Sequence, residues 1–261
     1  MSKYEFLEVE RSGRITTITI NRPEVYNALH PPAHFEFDEV FNAFSADRGQ
    51  WVAIITGAGD RAFSAGNDLK YQAAGGDRER PNTGFAGLTE RFNLDKPIIA
   101  AVNGFAMGGG FEIALACDLI VASENAVFAL PEPRVGLAAL AGGLHRLPRI
   151  IPQKQALGMI LTGRRVTAEE GKNLGFVNEV TKPADLLAVA NQWADLVLEC
   201  SPMSIRASKQ AVYQGLNEPE LRAAIEGQGN YPAVRALHDS LDFVEGPLAF
   251  SEKRPPKWKA E

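Results

Sequence analysis

The chain has little of what would tie it to a metal, a membrane or a nucleic acid. It has two cysteines, Cys117 and Cys200, in no metal-binding or disulfide spacing. Its four histidines (His30, His34, His145, His238) form no ligand cluster. His30 and His34 share a helical spacing, but Pro31-Pro32 between them argues against a zinc-binding helix. No metal is therefore expected. No apolar run approaches the ~18 residues of a membrane span, and the start, Met1-Ser2-Lys3-Tyr4-Glu5, lacks the layout of a signal peptide. Free thiols and no leader point to a reducing cytoplasm. Positive charge is outnumbered, with Lys+Arg 27 against Asp+Glu 32, net −5 and no basic block, so nucleic acid is not an expected partner. What remains is an ordinary globular composition, 45% hydrophobic and 23% charged in 261 residues, enough for one large domain or a domain with an appendage.

The order of patterns suggests a sheet-rich part followed by a helical one. Phe6–Glu10 and Ile15–Ile20 alternate around Ser12-Gly13, as a hairpin does. Residues 32–46 place Phe35, Phe37, Val40, Phe41 and Phe44 on a helical face. Trp51–Thr56 and Pro97–Val102 are continuous apolar runs, expected to be buried strands. Between them, Ala62–Lys70 reads as strand, turn and helix start. Gln72–Thr83 reads as a polar, mobile loop, and Phe85–Phe92 as helical. Asp118–Ala122 and Ala126–Ala129 are short strands, and the alternation to this point implies parallel sheets with crossover helices. Then helices are expected at 139–146, 152–161, 168–174, 183–199, 202–213, 219–227 and 233–244, with one brief strand at 176–180. Glu245-Gly246-Pro247 reads as a break before the proline-stiff tail.

The most informative stretch is Val102-Asn103-Gly104-Phe105-Ala106-Met107-Gly108-Gly109-Gly110-Phe111-Glu112. A buried strand leads into three glycines and then a good helix former. Glycine lets a ligand approach the main chain, and the first N–H groups of a helix have no partner within it. Such donors suit an oxygen that becomes negative during a reaction. The turn lacks the Gly-Lys-Ser/Thr ending of a phosphate-binding loop, and no G-x-G-x-x-G pattern is present. Glu112 sits in the first helical turn, and Phe128-Ala129-Leu130-Pro131-Glu132 brings a second carboxylate. Each acid alone has a plain structural reading, Glu112 as a helix-dipole partner and Glu132 as a solvated loop residue. Around one pocket with two backbone donors, they can add or remove water: one takes a proton from water, the other gives a proton to carbon. The second donor is sought in Ala65-Gly66-Asn67-Asp68, another glycine-bearing strand-to-helix turn, with Asp68 alternatively a helix cap.

Together these pieces resemble the enoyl-CoA hydratase/isomerase (crotonase) superfamily. The likeness is carried by Asn21-Arg22-Pro23, Asn27-Ala28-Leu29, Phe63–Lys70, Lys96–Gly104, Gly108–Glu112, Cys117-Asp118, Phe128–Glu132, Gly142-Gly143, Leu161-Thr162-Gly163, Gly175–Asn178 and Glu252-Lys253-Arg254, nearly the whole chain. The resemblance implies an α/β fold, a spiral of ββα turns over residues 1–195. A helical region, 196–261, would build a homotrimer or dimer of trimers. It implies an acyl-CoA thioester substrate, with coenzyme A part of that substrate and no other cofactor. It places the oxyanion hole at the N–H groups of Asn67 and Gly109, water activation at Glu112 and α-carbon protonation at Glu132. Arg22, Ala65, Asp68, Leu69, Lys70, Gly108, Leu140 and Lys253 are expected to bind CoA or substrate, Lys253 across a subunit boundary. Leu140 stands where a glycine helps hold the catalytic water in related hydratases, which suggests a differently shaped acyl pocket near His145 and Arg146. The alternatives on this scaffold are an isomerase, a C–C lyase or a thioester hydrolase, and outside it a CoA-binding protein without catalysis.

Overall fold

The structure, a computed structural model, describes residues 3–261. The expected hairpin is present as β1 (Leu7–Ser12) and β2 (Ile15–Ile20), paired antiparallel in register from Leu7 with Ile20 to Ser12 with Ile15. After helix α1 (Pro31–Ala46) come β3 (Val52–Gly57), β4 (Ala62–Ser64), the short α2 (Leu69–Ala73), β5 (Ile98–Val102) and β6 (Phe105–Met107). Helix α3 (Gly109–Ala116) follows, then β7 (Leu119–Ser123), β8 (Val127–Ala129), α4 (Gly143–Ile150), α5 (Gln153–Thr162), β9 (Val166–Thr167), α6 (Ala168–Leu174) and β10 (Glu179–Thr181). Helices α7 (Leu186–Leu198), α8 (Pro202–Gly215), α9 (Leu221–Gly227), α10 (Pro232–His238) and α11 (Leu241–Ser251) complete the chain.

The strands divide between two sheets, β1-β2-β3-β5-β7-β10 and β4-β6-β8-β9. All pairs are parallel except β1 with β2 and β8 with β9. The chain therefore visits the large sheet, then the small sheet, then a helix, and repeats. Strand periodicity explains why β3 and β5 read as unbroken apolar runs, since both faces are covered. Ala53, Ile55, Ile98, Ala100 and Val102 face the main core with Phe37, Phe41 and Phe44 of α1. Val52, Ile54, Ile99 and Ala101 face the other way, onto Leu186, Ala190 and Ala194 of α7. The four-residue spacing of those three is one helical stripe.

Several sequence expectations need correcting. Phe35 is off the α1 core face and 45% exposed. Pro31 and Pro32 begin α1 rather than spoil it, because proline fits the first turn, where its missing N–H is not needed. Even so, no group of metal-ligating side chains occurs among the described residues. The 85–92 segment is only a single tight turn, Phe85–Gly87, since Ala86 takes φ 53° and Gly84 and Gly87 also have positive φ. Helix α4 starts at Gly143, not 139, because Gly142 at φ 103° ends the preceding coil. The last expected helix is two, split where Ser240 caps Phe243 N–H at 3.2 Å, and α11 runs through Pro247. Strands β6 and β9 are too short to show a period.

Helix α8 docks on Asp118. Its Oδ2 accepts from Lys209 Nζ at 2.7 Å and from Ile98 N–H at 2.8 Å, while Tyr213 donates to Oδ1 at 3.1 Å. No described helix is long and apolar enough to cross a membrane. A cavity of about 300 Å³, lined by residues such as Trp51, Lys96, Met203 and Arg206, contains none of the expected site residues.

Candidate active site

Both glycine turns leave strands of the small sheet side by side. Strand β4 ends at Ser64, whose hydroxyl donates to Asn27 O at 2.8 Å and accepts from Gly66 N–H at 3.1 Å. Ala65 N–H donates to Tyr26 O at 2.9 Å, and Asp68 N–H to Leu29 O at 2.8 Å. The backbone donors of Ala65, Gly66 and Asp68 are thus consumed. Asn67 N–H is not: among the described residues it has no protein acceptor. On the second turn, Gly108 N–H donates to Ala129 O at 2.9 Å, and Gly109, first residue of α3, likewise has no acceptor for its N–H.

The absence of side chains brings the turns together. A Cβ on Gly66 would lie 2.6 Å from Met107 O and 2.8 Å from Gly109 N, and one on Gly110 would lie 2.1 Å from Ser64 O. Gly66, at φ 84°, also needs a conformation that L side chains rarely adopt. The unused N–H of Gly109 therefore lies against the turn that presents the unused N–H of Asn67.

Two carboxylates flank these donors. Glu112 is 3% exposed, and its Oε1 accepts from Gly143 N–H, the start of α4, at 2.8 Å. Burial pushes its carboxyl up to about 7; the Gly143 N–H opposes the rise and the neighbouring Glu132 adds to it. Glu132 opens a tight turn after β8, and its Oε1 lies where a Cβ on Gly108 would be 2.7 Å away. Its Oε2 is buried without a partner among the described residues, and burial raises this carboxyl too. The two acids are thus near enough to act on each other, and each abuts a glycine.

The other expected site residues divide. Gly108 supplies the φ 53° bend that admits Glu132. Ala65 lies in the first turn. Arg22 and Asp68 are spent on each other, with Nη1 to Oδ2 at 3.1 Å and both side chains nearly buried. Burial works against the charge of Asp68, but the Tyr71 N–H and Arg22 outweigh it and hold its carboxyl below the usual range. Asp68 also caps α2 through that N–H, at 3.1 Å, so this pair braces the Asn67 turn. Leu69 and Lys70 are exposed on α2, and Leu140, at 76%, stands outside any packed wall of the single chain. Lys253, beyond α11, is exposed at φ 55°.

Sequence reasoning missed Phe85 and His34. A Cβ on Gly109 would meet the Phe85 ring at 2.6 Å, so that ring covers the donor turn. His34 packs on it at 4.3 Å, and its Nδ1 accepts from Ala86 N–H at 3.1 Å. Burial drives His34 down to about 3, so it is a neutral wedge. The Gly143 donor was visible as the Gly142-Gly143 pair, but its target, a residue 31 positions away, was not.

Paired acids beside two unused backbone donors define a site for moving protons next to a developing oxyanion, and comparison with known proteins agrees. Residues 10–261 match the enoyl-CoA hydratase/isomerase family, and the chain belongs to that family. It is 48% identical over 265 residues to a carnitinyl-CoA dehydratase from Escherichia coli (strain K12), covering 98% of each chain. It is similar in structure to an enoyl-CoA hydratase from Mycobacterium tuberculosis H37Rv, with TM-score 0.92, 36% identity and coverage of 98% and 99%. A carnitinyl-CoA dehydratase from Mycobacterium avium 104 aligns with TM-score 0.78 and 38% identity over 98% and 99% of the two chains.

Proposed function

We propose that this protein is an enoyl-CoA hydratase/dehydratase, adding water reversibly and syn across the 2,3 double bond of an enoyl-CoA thioester. The observation that carries this reading is the convergence of Glu112 and Glu132 on adjoining turns with unused N–H groups at Asn67 and Gly109. In hydration, Glu112 takes a proton from water as the water oxygen bonds to C3. The thioester oxygen gains charge between the Asn67 and Gly109 donors, and Glu132 delivers its proton to C2. One proton leaves Glu132 and one arrives on Glu112, so water is added with no net gain by the pair. Because both acids share a buried site and burial raises both, ionising the two together costs more than ionising one. The proton on Glu112 with charge on Glu132 is the starting state for dehydration; the opposite placement starts hydration. Two distinct acid positions favour this reading over a single-acid isomerase.

Lys70 serves the CoA phosphates, and Ala65, Leu69 and Gly108 line the thioester passage, while Arg22 and Asp68 hold the turn. Coenzyme A enters as part of the substrate, and the chemistry described requires no further cofactor. Similarity to the Escherichia coli dehydratase makes a carnitinyl-CoA-type thioester one acyl group to test, beside uncharged and anionic ones. Residues 196–261 form the oligomerisation region of a homotrimer or dimer of trimers. Supporting this, Leu216, Leu221, Ile225, Val244 and Phe250 expose large apolar surfaces there, and Lys253 stands ready to reach a neighbouring subunit's CoA. Two free cysteines fit a reducing cytoplasm. The deciding assay follows loss of enoyl-thioester absorbance with crotonyl-CoA and crotonobetainyl-CoA. Turnover is expected, and no turnover on any enoyl-CoA in a modest panel would overturn the proposal.

A further inference from the structure

The wall beyond the two acids carries positive charge that the reaction itself does not use. Arg80 leaves the 74–83 loop with its guanidinium 5.5 Å from the centre of the Phe85 ring, the same ring that covers Gly109. No ion pair holds Arg80 among the described residues, and its side chain is exposed. Its charge opposes the rise at Glu112 and adds to the fall at His34, so it lies within electrostatic range of both. On the other side of the Phe85 turn, Arg146 donates to Thr89 O at 2.7 Å. His34 between them is neutral and adds no charge. The carboxylate on this turn, Glu90, lies against Gly84 and acts on Arg146. The Phe85 ring thus joins Arg80 to the turn that presents the Gly109 N–H, where the thioester carbonyl is placed by the reading above.

We propose that Arg80 reads the charge of the acyl group, favouring enoyl-CoA thioesters whose chain ends in a carboxylate and disfavouring those that end in a quaternary ammonium. This rests on the hydratase reading of the site. A guanidinium 5.5 Å from an aromatic centre and in no ion pair keeps N–H groups free for a carboxylate. The same charge repels an ammonium group and occupies the ring face such a group would otherwise take. The chain would then differ in acyl preference from a dehydratase that acts on a carnitinyl thioester.

The test compares kcat/KM for 4-carboxybut-2-enoyl-CoA, crotonyl-CoA and crotonobetainyl-CoA in the wild type, Arg80→Lys, Arg80→Ala and Arg80→Glu. The wild type is expected to prefer the anionic substrate to the cationic one. Arg80→Lys should retain that order, Arg80→Ala should lower the anionic-to-cationic ratio by about ten-fold, and Arg80→Glu should invert it. Crotonyl-CoA, which has no terminal charge, is the reference for both charged substrates, so an effect of Arg80 on Glu112 itself cancels from the ratio. Calorimetric binding of glutaryl-CoA against butyryl-CoA supplies a readout without turnover. If no enoyl-CoA is hydrated but Arg80→Ala still removes a glutaryl-CoA preference, the hydratase reading fails and the charge reading stands. A ratio unchanged by Arg80→Ala and Arg80→Glu, in both turnover and binding, overturns the role of Arg80.

Discussion

Glu112 and Glu132 reach one space from different supports. Glu112 rides on a packed helix, behind which Phe111, Phe128 and Phe176 stack within 5.1–5.2 Å of one another. Its Oε1 is fixed by an N–H from another helix. Glu132 sits on a single tight turn, less buried, with Oε2 lacking any partner among the described residues. One acid is aimed by the protein and the other is left uncompensated. At Glu112 the fixed donor opposes the rise that burial imposes, whereas burial raises Glu132 with no partner on Oε2 to oppose it. Identical side chains thus receive different tasks from their surroundings.

The strongest way to break this comparison is to neutralise each acid in turn. Glu112→Gln and Glu132→Gln should each lower kcat by roughly 10²–10⁴-fold, as loss of general acid–base catalysis does. Binding of a saturated acyl-CoA should be nearly unchanged. Equal loss of binding, measured by calorimetry, would make the acids structural. The next largest effect separates their supports. Gly108→Ala meets both a φ of 53° and a Cβ position 2.7 Å from Glu132 Oε1, whereas Gly143→Ala meets Glu112 at 3.0 Å. Gly108→Ala should therefore lose activity on the order of 10²-fold, the cost of about 1 Å of misplacement, and more than Gly143→Ala. The reverse order in steady-state rates would contradict the assigned contacts.

The pH profile sharpens the comparison further. Hydration needs Glu112 ionised and Glu132 protonated; burial holds Glu112 at about 7, so kcat/KM should rise as pH increases toward about 7 and fall where Glu132 loses its proton. The rising limb should vanish in Glu112→Gln. Stability has the opposite sign. A carboxyl raised from 4.5 when folded binds its proton more tightly in the native state, so its contribution falls between pH 4.5 and about 7. Above that window Glu112→Gln should be more stable than the wild type by up to about 3 kcal/mol, shrinking to little below pH 4.5. Denaturant melts at several pH values check this. The smallest expected effect is at the Asn67 turn: Arg22→Ala should loosen the brace on Asp68 and, in steady-state kinetics, raise KM more than it lowers kcat.

Much of this arrangement was legible in the residues themselves. The hairpin, the two doubly buried strands, the glycine turns and both acids follow from period, flanking glycine and carboxylate placement. Strands β6 and β9, three and two residues long, were missed because neither stands as an apolar run of its own: β6 is joined to the glycine turn and β9 opens directly into α6. The Phe85 turn carries a helical pattern in sequence because nothing in Ala86 signals a positive φ; its N–H is held instead by His34 Nδ1, on another element. The pairing of Arg22 with Asp68 and of Gly143 with Glu112, and the approach of Arg80 to Phe85, join residues far apart in sequence or on separate elements. Local pattern cannot supply such contacts. Ser240, by contrast, was a cap signal hidden inside an apolar pattern.

The most direct measurement is a crystal structure of Glu132→Gln with crotonyl-CoA bound. The thioester oxygen is expected about 2.7–3.1 Å from the backbone nitrogens of both Asn67 and Gly109, with Glu112 beside C3 and the substituted side chain at position 132 beside C2. A thioester seated away from those two nitrogens, or either side chain directed away from its carbon, would contradict this placement.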